Sequence, residues 1–350
     1  MNRLERSIRR ERTIQLMTVV ALIGAAITVL VTVNNLLVSF VLALVVNYLL
    51  GPSVSAFERS GLSRTWSIFI SYILVSLIFA WSVYSILPLV SSQFHALRTN
   101  FPSLLAGATR LANETQLKID YILGGQFELS LTKNLEQKLP ALTSGLFEGL
   151  PQILTKLFTT LLLAPFLAFF MLLDGRSFAR KFLNLVPNNV FELVLNLQHQ
   201  INEQIGGFIR ARLLEAGIVG LVVWIGLAII GFPYAFLLAV FAGVTNLIPY
   251  IGPLIGAVPA LLIAMISSGS FYAVFLVTLV YFIAQLIDMV FIIPLVVAKI
   301  VDLHPVSVII AIVLGAQLLG VLGMIISIPL ASALKVTFQA VYRHLVEFRS

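Results

Sequence analysis

The chain has no cysteine among its 350 residues, and charge is almost as scarce: Asp, Glu, Lys and Arg together make up 11%. The first absence excludes disulfides, thiolate metal sites and cysteine nucleophiles. The second excludes an ordinary soluble domain, in which about a quarter of residues are charged. Also missing are GxSxG, HExxH and the phosphate-binding GxxxxGKS or GxxxxGKT. No hydrolase nucleophile, zinc helix or ATP-driven motor is therefore indicated, and neither an enzyme nor a cofactor is expected.

What the chain has in place of charge is apolar length. It is 59% hydrophobic, with a mean hydropathy of +1.03. Several runs reach the roughly 20 apolar residues that cross about 30 Å of hydrocarbon. The expected fold class is an all-α polytopic membrane protein in a lipid bilayer. It would have about six full spans plus two re-entrant helical hairpins, or alternatively eight spans, with a small helical extracytoplasmic segment. The net charge of +7 does not point to nucleic acid, because the basic residues cluster beside the apolar runs, which is the topogenic pattern.

Four regions follow along the chain. Residues 1–90 open with "MNRLERSIRRERT", five arginines against two glutamates, and then carry three spans near 14–33, 36–50 and 66–90. The first run is longer than a signal-peptide core, so the N-terminus is expected in the cytoplasm. Residues 91–152 change texture, with charges of both signs and helix-like apolar spacing. They read as a helical extracytoplasmic segment that serves packing, oligomer contact or a ligand. Residues 153–212 contain a fourth span ending in "LLDGRSFARKF" and an amphipathic cytoplasmic helix, for which Asn188 or Asn189 would serve as N-cap. Residues 213–350 form the candidate transport core, with the C-terminus also cytoplasmic.

That core contains a weak internal repeat. "FPYAFLLAVFAGVTNL" at 232–247 aligns without gaps to "HPVSVIIAIVLGAQLL" at 304–319, pairing Pro233 with Pro305, Ala239 with Ala311, Gly243 with Gly315 and Leu247 with Leu319. Each copy precedes a helix-breaking stretch: Gly252, Pro253, Gly256 and Pro259 in one, Gly320, Gly323 and Pro329 in the other. Paired interruptions of this kind mark transporter repeats. Two re-entrant hairpins, 233–266 and 305–333, account for both breaks and give the copies opposite orientations. The alternative is that each segment crosses once.

Charge is confined to a few positions here. No charged residue occurs from Ala216 to Ile287, and from there to Leu334 only Asp288, Lys299 and Asp302 carry one. A carboxylate at membrane depth costs about 2.5–3.5 kcal/mol on insertion scales, so it needs an offset. Thr278, Tyr281, Gln285 and Asp288 fall on one helical face, which reads as a wet cavity lining or as a hydrogen-bond cluster that locks packing. Asn246, just before the proline break, and Gln317 are the polar counterparts from the two hairpins. Helix ends freed by such breaks can coordinate a polar solute or a monovalent cation. Arg212 and Glu215 read as a snorkelling interfacial pair. Asp302 and His304 read as caps of the second hairpin.

"NLIPYIGPLIGAVP", "FFMLLDGR", "GFPYAFLLAV" and "LHPVSVIIAIVLGAQLLGVLGMIISIPLASALK" together resemble the autoinducer-2 exporter family of bacterial membrane proteins. The resemblance covers nearly the whole chain except 91–152. It implies a multi-pass inner-membrane protein, export of small signalling molecules or sodium–proton exchange, and an oligomeric, elevator-like arrangement. Two departures stand out: many members continue the penultimate-span acid with Asn where Met289 follows Asp288, and often show Gly-Gln where this chain has Arg210–Arg212.

The expected function is secondary transport that exports a small solute or signalling molecule, coupled to protons or sodium. Asn246, Pro249, Tyr250, Gly252 and Pro253 would form one wall of the substrate or ion site, Gln285 and Asp288 the facing helix, with Gln317 from the second hairpin. The expected partners are a small-molecule or monovalent-cation substrate, the bilayer and further copies of the chain. The alternatives are a sodium–proton antiporter without organic substrate and a non-transporting membrane scaffold.

Overall fold

A computed structural model describes residues 36–123, 162–187, 190–268, 270–297 and 303–347, together with 24–25, 28–29 and 32–33. Among these residues there is no strand. The helices are α1 (Leu36–Arg59), α2 (Arg64–Leu123), α3 (Leu162–Leu183), α4 (Phe191–Ile229), α5 (Ala235–Thr245), α6 (Ile251–Ser268), α7 (Phe271–Ile287) and α8 (Pro305–Glu347). A π-helical stretch, Asp288–Val297, continues α7. Among the described residues six helices have the length and composition to cross a membrane. Their outer faces carry large apolar side chains in the open, among them Trp66, Leu77, Trp81 and Leu318. Exposure on that scale is untenable in water, and lipid is the solvent it fits. Most of the first expected span and the Asn188–Asn189 cap lie outside the described residues, as do 124–152.

The third span does not end where its composition changes. α2 is one helix of 60 residues, about 90 Å along its axis at 1.5 Å per residue, so it runs well past the hydrocarbon and into the polar region that follows residue 90. The switch in composition marks a change of surroundings, while backbone hydrogen bonding carries on through it.

By contact density the chain forms two compact units, one of Met1–Ile73, Lys156–Ile209 and Leu303–Ser350, the other of Leu74–Thr155 and Arg210–Asp302. In the first, Ala43 of α1 packs on Ala164 and Ala168 of α3, small residues that let two helices approach closely. Tyr72 donates to the Pro165 carbonyl over 2.8 Å, Tyr48 to Asn202 Oδ1 over 2.8 Å, and Ser332 to Gln204 Oε1 over 2.9 Å. α8 breaks at Gly320, whose φ of 61° and ψ of −139° are open to glycine. A Cβ placed on Gly315 would stand 2.7 Å from the carbonyl carbon of Gly323. Eight residues apart on a continuous helix these positions are about 12 Å apart, so the chain folds back at Gly320 and 305–347 is itself a helical hairpin. His304 caps it, its Nδ1 accepting from Val306 N at 3.3 Å; Asp302 lies outside the described residues.

The second unit is built on the other hairpin. α4 ends on Gly231 at φ 66°, with Phe232 N–H donating to the Leu227 carbonyl at 2.9 Å. This left-handed glycine stop satisfies the last carbonyls, and Pro233 prevents continuation. α5 then runs antiparallel to α4. A Cβ on Gly243 would lie 2.9 Å from the Ala216 carbonyl, and one on Gly220 would lie 3.3 Å from the Ala239 carbonyl. Trp224 and Phe236 meet edge to face, 5.6 Å apart. α6 returns alongside α5 and α7 packs on α6, with Val223, Leu227, Ala239, Ala260, Ala264, Val277 and Ala284 at the centre of the core. The amide of Leu237 in α5 donates to Gln93 Oε1 at 2.9 Å, and Asn100 Nδ2 donates to Tyr234 Oη at 3.0 Å. Farther along α2, a Cβ on Gly107 would reach 2.7 Å from Ile266 Cγ2. Gln93, Asn100 and Gly107 are seven residues apart and so face the same way. All three meet the open end of the α5–α6 hairpin.

Candidate functional site

The tip of the first hairpin is made by residues 246–250. Asn246 closes α5, its N–H donating to the Ala242 carbonyl at 2.9 Å, and Ile248 N–H donates to the Thr245 carbonyl at 2.9 Å. Tyr250 adopts φ 64°, a left-handed conformation that costs a non-glycine residue roughly 1 kcal/mol or more. Gly252 is required because α6 starts against the end of α5: a Cβ there would fall 2.7 Å from the Thr245 carbonyl carbon and 2.9 Å from Asn246 Cα. Gly256 does the same a turn later, against Thr245 Oγ1 and Ala242. The glycines of "LIPYIGPLIGAVPA" thus permit backbone contact, and the tip they allow is compact.

Beside this hairpin, α4 and α7 bring three ionisable side chains together. Arg212 Nη1 donates to Glu215 Oε1, one turn on in the same helix. The Asp288 carboxyl, at the junction of α7 and the π-helical stretch, lies within hydrogen-bonding reach of Glu215 and feels the charge of Arg212. Alignment of α4 and α7 sets this meeting: Gly226 admits Val280, to which a Cβ would stand 2.6 Å away, and both chains descend from there to Glu215 and Asp288. Pro294 has no N–H to donate, and the turn around it widens to π geometry.

The cluster is dry. Glu215 is 1% exposed, Asp288 3% and Arg212 8%. Two carboxyl groups face one guanidinium, so full ionisation leaves one negative charge uncompensated. Burial of such a charge costs several kcal/mol, and a proton or a monovalent cation removes that cost. Glu215 Oε2, Asp288 Oδ1, Tyr281 Oη and Asn246 Nδ2 are all buried and have no hydrogen-bond partner among the described residues. Buried polar atoms are nearly always satisfied, so these four atoms mark the candidate site residues of this unit.

The residues read from sequence divide as follows. Asp288 stands in the cluster, and Tyr281 and Gln285, on the same face of α7, are half-buried. Thr278 is exposed and bonded to the Val274 carbonyl at 2.7 Å, so the polar stripe turns outward at its upper end. Asn246, Pro249 and Gly252 are buried at the hairpin tip, Pro253 is half-buried, and Tyr250 projects at 61% exposure. Gln317 is exposed and belongs to the first unit. Sequence reasoning missed Arg212 and Glu215: they do not snorkel to a water interface but close over Asp288. A signal was present. Glu215 and Asp288 flank the two ends of the charge-free run, and the fold brings those ends together.

Comparison with known proteins agrees with this architecture. Residues 16–343 match the family described as AI-2E family transporter. "Putative transport protein YrrI" of Bacillus subtilis is 30% identical over 307 residues, covering 87% of this chain and 86% of that one. "Putative transport protein YueF" of the same organism is 27% identical over 349 residues, covering 95% and 93%. "Putative permease PerM" of Escherichia coli is 25% identical over 310 residues, covering 88% of each.

Proposed function

The chain belongs to the AI-2E transporter family, and from that premise we propose that it is a secondary transporter whose coupling site is the Glu215–Arg212–Asp288 cluster. The observation that supports this is the buried surplus carboxylate with unmatched oxygens at the side of a broken-helix hairpin. A proton or a sodium-sized cation bound there neutralises the surplus. When it leaves, the negative charge it exposes favours a different arrangement of α7 against α4, and that difference between loaded and empty states is what couples an ion gradient to solute movement. Tyr281, Gln285, Asn246 and the backbone around Pro249, Tyr250, Gly252 and Pro253 supply hydrogen bonds for the transported solute, a small polar or signalling molecule moved outward.

The hairpin fits a re-entrant role. α5 has 11 residues, about 16 Å against roughly 30 Å of hydrocarbon, and so cannot cross alone. Its open end meets residues 93–107 of α2, which follow the third span and by charge bias lie outside. We place the protein in the bacterial inner membrane as a homo-oligomer, with both termini cytoplasmic and with the second hairpin, which carries Gln317, as the inverted counterpart.

The test is flux in proteoliposomes. Asp288→Asn and Glu215→Gln should each abolish gradient-driven transport while leaving the protein folded. Normal transport by Asp288→Asn across pH and sodium gradients would refute the coupling role. A second reading, sodium–proton exchange without organic substrate, is favoured by the fact that the cluster is acid-rich and needs no solute to be balanced; it predicts that a sodium gradient alone moves protons.

A further inference from the structure

The other unit contains a second group of charges that transport chemistry does not use. At the C-terminal ends of α1 and α3, Glu58 is held by two arginines: Arg176 Nη2 reaches its Oε2 at 2.7 Å, and Arg64 Nη1 its Oε1 at 3.3 Å. Arg64 also donates to the Leu172 carbonyl, from Nε at 2.8 Å, which ties the start of α2 to α3. Arg180 follows Arg176 by one turn on the same face of α3. Arg59 donates from Nε to the Ser55 carbonyl at 3.2 Å, and its two terminal amino groups have no partner among the described residues. Between these groups lies an open cavity of about 640 Å³ lined by Ser55, Glu58, Arg59, Leu62 and Arg176.

The balance here is the reverse of that at Glu215. Two arginines bind the one carboxylate, Arg59 lines the same cavity and Arg180 stands a turn beyond Arg176, so the group carries a surplus of about three positive charges. Both oxygens of Glu58 are occupied by Arg64 and Arg176, whereas Arg59 and Arg180 are exposed. Glu58 therefore sets the positions of two guanidinium groups and does not compete for the others. The cavity sits where two membrane-length helices end, and within a turn of its arginines Trp66 and Phe178 are bare, 66% and 73% exposed. Indole and phenyl rings beside arginines at helix ends are the composition of the membrane–water boundary. Basic pockets between spans on the cytoplasmic side take anionic headgroups.

We propose that this cavity binds the phosphate headgroup of an anionic membrane lipid, with Arg59 and Arg180 on the phosphodiester, Ser55 on the glycerol and the acyl chains along Leu62, Trp66 and Phe178. A free phosphate would find the same arginines but would gain nothing from the apolar border.

Native mass spectrometry and thermal unfolding of the full chain in mild detergent test this. Phosphatidylglycerol should remain bound and raise the unfolding midpoint; phosphatidylcholine and inorganic phosphate should do neither. The double variant Arg59→Gln/Arg180→Gln, which keeps the Glu58 bridges, should weaken phosphatidylglycerol binding about 30-fold, from roughly 1 kcal/mol per basic residue. A charge-matched control, Arg110→Gln/Lys118→Gln on α2, should retain wild-type binding. Unchanged lipid affinity in the first variant, equal loss in the control, or full stabilisation by inorganic phosphate would each overturn the proposal.

Discussion

Replacing Gly252 with alanine tests whether the hairpin tip is held by backbone contact. The new Cβ would lie 2.7 Å from the Thr245 carbonyl carbon and 2.9 Å from Asn246 Cα. Ordinary contact begins near 3.4 Å, so the nearer of these two is about 0.7 Å too close, and neither atom belongs to a side chain that can rotate away. Inserting a methyl group into packed surroundings costs about 1–3 kcal/mol, and a clash with backbone places Gly252→Ala at or above the upper value. Gly217 provides the reference. It lies inside α4 on the exposed face, and a Cβ there meets nothing within 4 Å, so Gly217→Ala gains about 0.8–1 kcal/mol of helix propensity. The two alanines should therefore differ by about 4 kcal/mol, close to a thousand-fold in the folded-to-unfolded ratio. Gly226→Ala should fall between them, because its Cβ meets the Val280 side chain at 2.6 Å and rotation offers partial relief. Unfolding midpoints in a mild detergent titrated with SDS would rank the three. Equal midpoints for Gly252→Ala and Gly217→Ala would refute the claim that α6 starts in backbone contact with α5.

Other outcomes follow from the same geometry. Arg212→Gln should destabilise by about 3–5 kcal/mol, since it leaves two buried carboxyl groups without their cation; adding Glu215→Gln should recover some of that loss, and additive midpoints would argue against a shared cluster. Gln93→Ala and Asn100→Ala remove the hydrogen bonds at the start of α5 and should each speed amide exchange at Leu237 about fivefold, for bonds of roughly 1 kcal/mol each, while leaving α8 unchanged. A cysteine introduced at Ser267, the only one in the chain, should react with an impermeant maleimide from outside whole cells if the hairpin is re-entrant. Labelling only after permeabilisation would favour a single crossing.

The spans and the two breaks could be read in the sequence because lipid imposes a composition rule on every exposed face, and glycine and proline advertise where a helix stops. Asp288 was equally legible, being a lone acid at the end of a long uncharged run. Its partners were not. An arginine and a glutamate one turn apart at the edge of an apolar segment look the same whether they face headgroups or another helix. Only the docking of α7 at Gly226 decides that they are covered. The course of α2 was hidden for a different reason: composition reports what surrounds a helix, and the helix continues from one environment into the next. Gly252 drew attention as a site residue, yet its contacts give it a steric task.

α5 and the hairpin tip together lie between two tyrosines in the left-handed conformation, Tyr234 at φ 59° before α5 and Tyr250 at φ 64° before α6, the first gripped through its hydroxyl by Asn100. Between them are the three helical turns of α5 and the four tip residues 246–249. A helix is stiff along its axis, so the bond from Asn100 to Tyr234 at one end of α5 bears on the position of Asn246 about 16 Å away at the other. The grip of α2 on the start of α5 is therefore also a constraint on where the hairpin tip stands, at the far end of a stiff element.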